Sequence, residues 1–309
     1  MIFAGSDPFS LPVLGALARS RHRPLLVLTV PERSGNRGRP APRPVAELAR
    51  SLELPLSQPE RVSSGPGPVQ EAAGSAQGLV AAAYGQLLPQ DLLSALEQGG
   101  IGVHPSLLPR HRGASPVAAA ILAGEEETGV TIFRMTPEWD AGPILAQEAL
   151  ALLPTETSPE LEQRLGEQAG PLLVSVLDRL DEGGLPERAQ PVAGASYAAK
   201  LRREDGRVDW QLPAREIDRR LRALQPWPGV TLPLAGRQVK LLAGQVVATS
   251  GEPGARPGAV VGVAGEGVLV ATVSGVYRLD RVLPPGGRAM SAAAYLRGRR
   301  PQLGSSSDA

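Results

Sequence analysis

The sequence predicts an α/β fold: a mostly parallel, Rossmann-like sheet with helices on both faces, followed by a small C-terminal β-barrel of the OB-like kind. Three observations predict it. In the first half, short apolar runs without polar alternation are separated by helical stretches, as expected for strands buried on both faces. Residues 181–196, DEGGLPERAQPVAGAS, then form a polar, Gly/Pro-rich break of the kind that parts domains. Beyond it, short β-rich runs follow one another through Gly-marked turns, the spacing of a small antiparallel barrel. The expected organisation is one domain over 1–180, a linker over 181–199 and a second domain over 200–309.

The elements follow in order. Met1–Gly5 (MIFAG) is a short apolar strand ending on Gly, and SDPFSLPVLGALARS after it is a helix with Ser/Asp capping. Leu25–Val30 is a second strand. Residues 31–44, PERSGNRGRPAPRP, are a basic loop full of breakers, and Val45–Leu52 is a helix. Gly78–Ala83 is a third strand, closed by Tyr84-Gly85, and Gln90–Gln98 is helical. Ile101–His104 is the next strand and Ser115–Ala123 the helix after it. Val130–Met135 and Ile144–Glu148 form a strand pair around the loop TPEWDAGP. A long helix runs over Ser158–Leu180. In the second domain, Ala214–Leu224 is an amphipathic helix with Ile217, Leu221 and Leu224 on one face. VTLPLAG, QVKLLAG, AVVGVAG, GVLVATVSG and VYRLDRVL are strands, and Ser291–Arg299 is the last helix.

Composition narrows the function. Apolar residues make up 42% of the 309, the level of a folded domain rather than a disordered chain. No apolar window nears the ~18 residues of a membrane span, and no signal-like start is present. With zero cysteines, disulfides, Cys-ligated zinc, iron–sulfur clusters and thiol nucleophiles are excluded. Three scattered histidines argue against a His-rich metal site, so no metal is expected. A cytoplasmic enzyme or binding protein fits. Residues 200–309 carry 17 Lys and Arg against 9 Asp and Glu, while residues 1–199 carry 15 against 22. A basic C-terminal third points to a polyanion, nucleic acid before membrane; an Arg-rich compositional bias gives the same numbers.

Ligands of parallel sheets bind at the carboxyl ends of strands, which is where Gly5, Tyr84, His104 and the 136–143 loop fall. His104 ends its strand before the rigid turn Pro105-Ser106-Leu107-Leu108-Pro109, and imidazole suits proton transfer near neutral pH. A catalytic His needs an orienting carboxylate, and Asp140 is the best placed. The plainer reading, in which His104 caps a turn and Asp140 bonds its own backbone, stays open at this point. Arg33, Arg37 and Arg39 make the 31–44 loop either an arm for phosphates and bases or a solvated insertion. FAGSDP lacks GxGxxG, and no GxxxxGK[ST] occurs, so neither a nicotinamide cofactor nor an NTP is supported.

Nearly end to end, the sequence resembles the methionyl-tRNA formyltransferase family of 10-formyltetrahydrofolate-dependent enzymes. The resemblance is carried by FAGSDPFSLPVL, PERSGNRGRPAPRPV, AAYGQLLP at 82–89, HPSLLPRHRGASPV at 104–117, GEEETGVTIFRMTPEWDAGPIL at 124–145, SYAAKLRREDGRVDW at 196–210 and RALQPWPG at 222–229. It implies transfer of a formyl group from 10-formyltetrahydrofolate to the amino group of methionine on initiator methionyl-tRNA, by a cytoplasmic monomer. It implies His104 as base and then acid, with Asp140 holding its tautomer. Ser106, Leu107, Leu108 and Pro109 border the folate, Tyr84 and Gly85 shape the pterin slot, and the arm with Arg33, Arg37 and Arg39 meets tRNA. His111 is a wall residue.

One position departs from the family. Its Asn, two residues before the His, is Gly102 here, which has no side chain to hold a developing oxyanion. Three readings follow: water or a neighbouring donor such as Ser106 or His111 takes over, the chain is a weakened or inactive tRNA-binding paralogue, or the glycine is a sequence error. A formyltransferase for another amine, such as an amino sugar, is the rival enzyme. MIFAG is also shorter than the family's first strand, which points to a start a few residues upstream.

Overall fold

The computed structural model describes residues 1–32, 43–62, 67–249 and 255–298. They form two compact units. The first comprises Met1–Val117, Glu126–Leu153 and Pro159–Ala199; the second comprises Ala118–Glu125, Pro154–Ser158 and the chain from Lys200 onward.

The elements up to residue 199 are β1 (Ile2–Gly5), α1 (Ser10–Ala18), β2 (Leu26–Leu28), α2 (Pro44–Ser51), β3 (Leu56–Ser57), α3 (Pro68–Ala73), β4 (Leu79–Ala82), α4 (Gln90–Ser94), β5 (Gly100–His104), β6 (Arg112–Gly113), α5 (Pro116–Ala123), β7 (Glu127–Arg134), β8 (Ile144–Ala151), α6 (Ser158–Asp181) and β9 (Tyr197–Ala198). Seven strands make one sheet in the order β3-β2-β1-β4-β5-β7-β8. The first five are parallel; β7 runs antiparallel to β5, and β8 antiparallel to β7. A two-stranded parallel ladder joins β6 to β9.

The apolar runs are explained by burial from both sides. Ile2, Ala4, Leu26, Leu28 and Leu79 face a cluster that includes Val69 of α3 and Leu92 and Leu93 of α4. Their neighbours of opposite parity, Phe3, Val27 and Val80, are fully buried too. Right-handed crossovers put α1 and α2 on one face and α3 and α4 on the other, because the strand order reverses between β1 and β4. That reversal is a topological switch point, the place where ligands of open parallel sheets bind. α6 lies on α1 at two glycines: a Cβ on Gly170 would come 2.7 Å from Ala16 Cβ, and one on Gly166 2.8 Å from the Phe9 carbonyl oxygen.

Two local expectations are corrected. α1 has no side-chain cap: its N-cap is Phe9, and the Ser6 hydroxyl donates instead to the Tyr84 carbonyl, 2.8 Å away. Tertiary bonding across the switch point outcompetes local capping there. β3 and α3 go unannounced in the sequence, because a two-residue edge strand and a six-residue helix carry too little periodicity to detect.

In the second unit, a 3₁₀ turn (Arg203–Gly206) precedes α7 (Ala214–Ala223), β10 (Val230–Leu234), β11 (Arg237–Ala248), β12 (Val260–Ala264), β13 (Gly267–Ala271), β14 (Val276–Leu283), β15 (Met290–Ser291) and α8 (Ala292–Arg297). Every ladder is antiparallel, in the order β10-β11-β14-β13-β12, with β15 against β14. The expected barrel is not closed: among the described residues no ladder joins β10 to β12. Register shifts at Leu241/Ala243, Ala243/Gly244 and Val246/Ala248 bend β11, which curves the sheet without uniting its edges. α7 buries Ile217, Leu221 and, just past its end, Leu224, the face that periodicity predicts. Its polar side carries Glu216–Arg220 and Asp218–Arg222 pairs, each at 2.9 Å.

Candidate active site

β4 and β5 pair in register, Ala82 with Val103, so Tyr84 and His104 leave adjacent strands at the same sheet edge. Ser6 continues β1 into this edge and ties it to the Tyr84 carbonyl, while the Ser10 hydroxyl bonds the Ala82 carbonyl at 2.6 Å. Tyr84 is buried, yet its Oη has no hydrogen-bond partner among the described residues. Burial also pushes its phenol up to about 12, so it is present as a neutral donor. Gly85 has φ +80 and nothing within 4 Å of where a Cβ would stand.

His104 is 6% exposed at the end of β5. Its Nε2 lies 2.8 Å from the His111 carbonyl oxygen. A carbonyl can only accept, so Nε2 carries the proton and the neutral ring has its lone pair on Nδ1. Nδ1 faces Asp140 Oδ2 at 3.7 Å, too far for a hydrogen bond but close enough to stabilise a cation. The tautomer is therefore set by His111 and not by Asp140, contrary to the reading from resemblance. Asp140 instead accepts a 2.8 Å bond from the Gly113 amide through Oδ2.

The SLLP turn packs onto the β7–β8 hairpin. Thr131 Oγ1 donates to the Ser106 carbonyl at 2.6 Å and accepts from the Leu108 amide at 3.0 Å. Gln147 Nε2 donates to the Leu108 carbonyl at 2.8 Å. Leu108 joins Phe133 and Ile144 in a small buried cluster, and the bond between Leu108 and Pro109 is cis. Ser106 is fully buried and its hydroxyl donates to the Arg110 carbonyl at 2.6 Å, so it is committed within the turn and is not a spare donor.

Gly102 is buried in β5 opposite Phe133 of β7. A Cβ placed on it would lie 2.2 Å from Phe133 Cε1 and 2.4 Å from Cζ. The Phe133 ring also meets His104 edge-on, with centroids 6.4 Å apart and planes at 88°. An aromatic ring thus occupies the place of any side chain at 102.

His104, Asp140, Gly102 and the Ser106–Pro109 turn come together, and Tyr84 and Gly85 share their sheet edge. Arg33, Arg37 and Arg39 lie outside the described residues; at the flank of that arm, Arg43 Nε donates to the Pro31 carbonyl at 3.2 Å. Among the described residues no three His, Cys, Asp or Glu side chains group as metal ligands, and no helix is long and apolar enough to cross a membrane. Sequence reasoning missed Phe133, Thr131, Ser196 and Gln190. Gln190 Nε2 bonds the carbonyls of Asp140 and Gly142, both at 2.8 Å, and its Oε1 accepts from Arg112. Nothing local to QPV announces this; only the return of residues 188–198 across the site does.

Comparison with known proteins agrees over both units. The formyl transferase family matches residues 13–177, and the formyl transferase C-terminal domain matches residues 200–300. The chain is 38% identical to the methionyl-tRNA formyltransferase of Heliobacterium modesticaldum over 308 residues, 97% of each protein. It is 42% identical to that of Thermus thermophilus over 297 residues, 96% of this chain and 95% of the relative. Among solved structures, HypX from Aquifex aeolicus in complex with tetrahydrofolic acid superposes with a TM-score of 0.62 at 19% identity, a likeness of fold. It covers 96% of this chain, which spans about half of HypX (46%). The chain belongs to the formyl transferase family and carries both its N-terminal and its C-terminal domain.

Proposed function

We propose that this chain transfers the formyl group of 10-formyltetrahydrofolate to the amino group of methionine on initiator methionyl-tRNA. The observation that carries the reading is likeness along both domains at once: relatives named for that reaction are 38–42% identical over 96–97% of the chain. The sheet edge leaves room for a folate: the Gly85 backbone is open, with nothing within 4 Å of where a Cβ would stand, at the edge where His104 ends β5. Tyr84, Gly85 and the Ser106–Pro109 turn would hold it.

When bound, the folate supplies a formyl carbon attached to a nitrogen leaving group. His104 takes the proton that the methionyl amine loses, and takes it at Nδ1 because Nε2–H is engaged with His111. The imidazolium then stands between two acceptors, the His111 carbonyl and the Asp140 carboxylate, which hold the charge until the proton passes to the departing nitrogen. Position 102 offers no side chain to a developing oxyanion, so the protonated His104 offsets its charge. Arg33, Arg37 and Arg39, with the basic stretch from residue 200 onward, contact the tRNA phosphates, and the chain acts as a cytoplasmic monomer.

A single-turnover assay with methionyl initiator tRNA and 10-formyltetrahydrofolate tests the reading. Formyl-methionyl-tRNA is expected. Tight binding of the charged tRNA with no transfer would identify a non-catalytic binder, and transfer only to an amino sugar would move the substrate class.

A further inference from the structure

Both acceptors that hold His104 are themselves held by one strap, residues 188–198. At one end, the Arg188 backbone exchanges two hydrogen bonds with Ile144, at 2.7 and 2.9 Å. At the other, Ser196 Oγ accepts from the His111 amide at 2.9 Å, and the Ser196 carbonyl accepts from the Arg112 amide at 2.9 Å. Between these ends, Gln190 uses its whole side-chain amide. Both N–H groups go to the loop carbonyls of Asp140 and Gly142, and the oxygen takes the Arg112 guanidinium at 3.0 and 2.7 Å. Arg112 precedes Gly113, whose amide holds the Asp140 carboxylate. One side chain thus ties the backbone of Asp140 to the strand that receives its carboxylate.

The tie acts on an unusual backbone. Asp140 sits at φ +49, in the left-handed region, which Asp tolerates better than most side chains but which still has few neighbouring alternatives. Gly142 follows in a space where a Cβ would stand 1.8 Å from the Arg134 carbonyl oxygen. Released from Gln190, the loop is free to relax and carry the carboxylate away from Nδ1.

We infer that Gln190 is a positioning residue for the His104–Asp140 pair, fixing the carboxylate against the imidazole without touching substrate; this rests on the formyl-transfer reading above. Two variants test it. Gln190→Ala removes the clamp. Gln190→Glu keeps an acceptor for Arg112 and the shape of the side chain, but turns two donors into acceptors facing two carbonyls.

Each is expected to lower the single-turnover rate about 10- to 100-fold, the scale of a misplacement near 1 Å. The KM values for folate and tRNA should stay within about threefold, as they would not if the strap served binding. The Gly113 amide and His104 ring resonances should shift in the substrate-free protein. If Gln190→Ala does not fold, the near-isosteric Gln190→Glu decides. Turnover within about twofold of wild type, a loss confined to KM, or unmoved resonances in the folded variants overturns the inference. A wild type that transfers no formyl group to methionyl-tRNA sinks the functional reading instead, while the resonance shifts still report on the clamp.

Discussion

The ring of Phe133 stands where a side chain on Gly102 would have to go, its Cε1 2.2 Å from the position of a Cβ. The two residues are direct partners across β5 and β7, so a larger residue at 102 requires the ring at 133 to shrink or move. By sequence, Gly102→Asn looks like a restoration of the family's missing donor. The geometry reverses that expectation. Gly102→Ala and Gly102→Asn should each destabilise the fold by about 1–3 kcal/mol, because the site is overpacked. Pairing Gly102→Asn with Phe133→Ala should recover at least about 1 kcal/mol relative to the sum of the single changes. Urea denaturation of the four proteins of the cycle measures this, and strict additivity would show that the ring moves aside freely.

Asp140→Asn separates charge from architecture. An amide oxygen still accepts from the Gly113 amide, so the loop should keep its place, while the charge 3.7 Å from His104 Nδ1 is lost. Single-turnover formylation should fall by about 10²-fold, and by about 10²–10⁴-fold for His104→Ala, the range for loss of a general base. Near-wild-type turnover of His104→Ala would remove the imidazole from the mechanism.

Much of this site was legible because its residues stand at the ends of fully buried runs. Ile101 to His104 reads as a strand since both sheet faces are covered, and a polar residue closing such a run points to the strand's carboxyl edge. Asp140 was visible because two apolar strands flank its loop. The sequence does not reveal which atom orients the imidazole, since a main-chain carbonyl has no residue code: His111 matters through its backbone, not its ring. Phe133 reads as core and is core, and only the absence of a Cβ at Gly102 places it against the site. Gln190 lies in a Gly/Pro-rich stretch whose composition suggests a linker, and its role follows from where the chain returns in space. The closed barrel was a fair extrapolation from strand spacing, but closure depends on edge pairing that spacing does not encode.

Thr131 carries the floor of the SLLP turn. It is fully buried, donates to the Ser106 carbonyl and accepts from the Leu108 amide and from Gln147. Thr131→Val keeps the volume and leaves buried polar groups unsatisfied, which costs about 2–4 kcal/mol in all. The expected result is a lower urea midpoint with an unchanged m-value, together with weaker folate binding by titration calorimetry. A stable variant with normal folate affinity would mean the turn is held by its prolines and Leu108 alone.

Glu162 gives the fold a pH dependence of its own. Burial, and then the charge of Asp7, raise its carboxyl from 4.5 to about 7. Below about pH 4.5 the group is protonated in both folded and unfolded chains and contributes no difference. As pH rises from 4.5 to 7 the unfolded chain gives up its proton first, so stability falls through that window and stays lower above it. Glu162→Gln removes the charge that the folded site disfavours. It should leave stability at pH 4 nearly unchanged and raise it at pH 8 by about 1–2 kcal/mol, after allowing for solvent screening of a partly exposed group. Denaturation midpoints of the two proteins at both pH values test this. Parallel curves with no divergence between pH 4.5 and 7 would place the Glu162 carboxylate in water rather than in a buried setting.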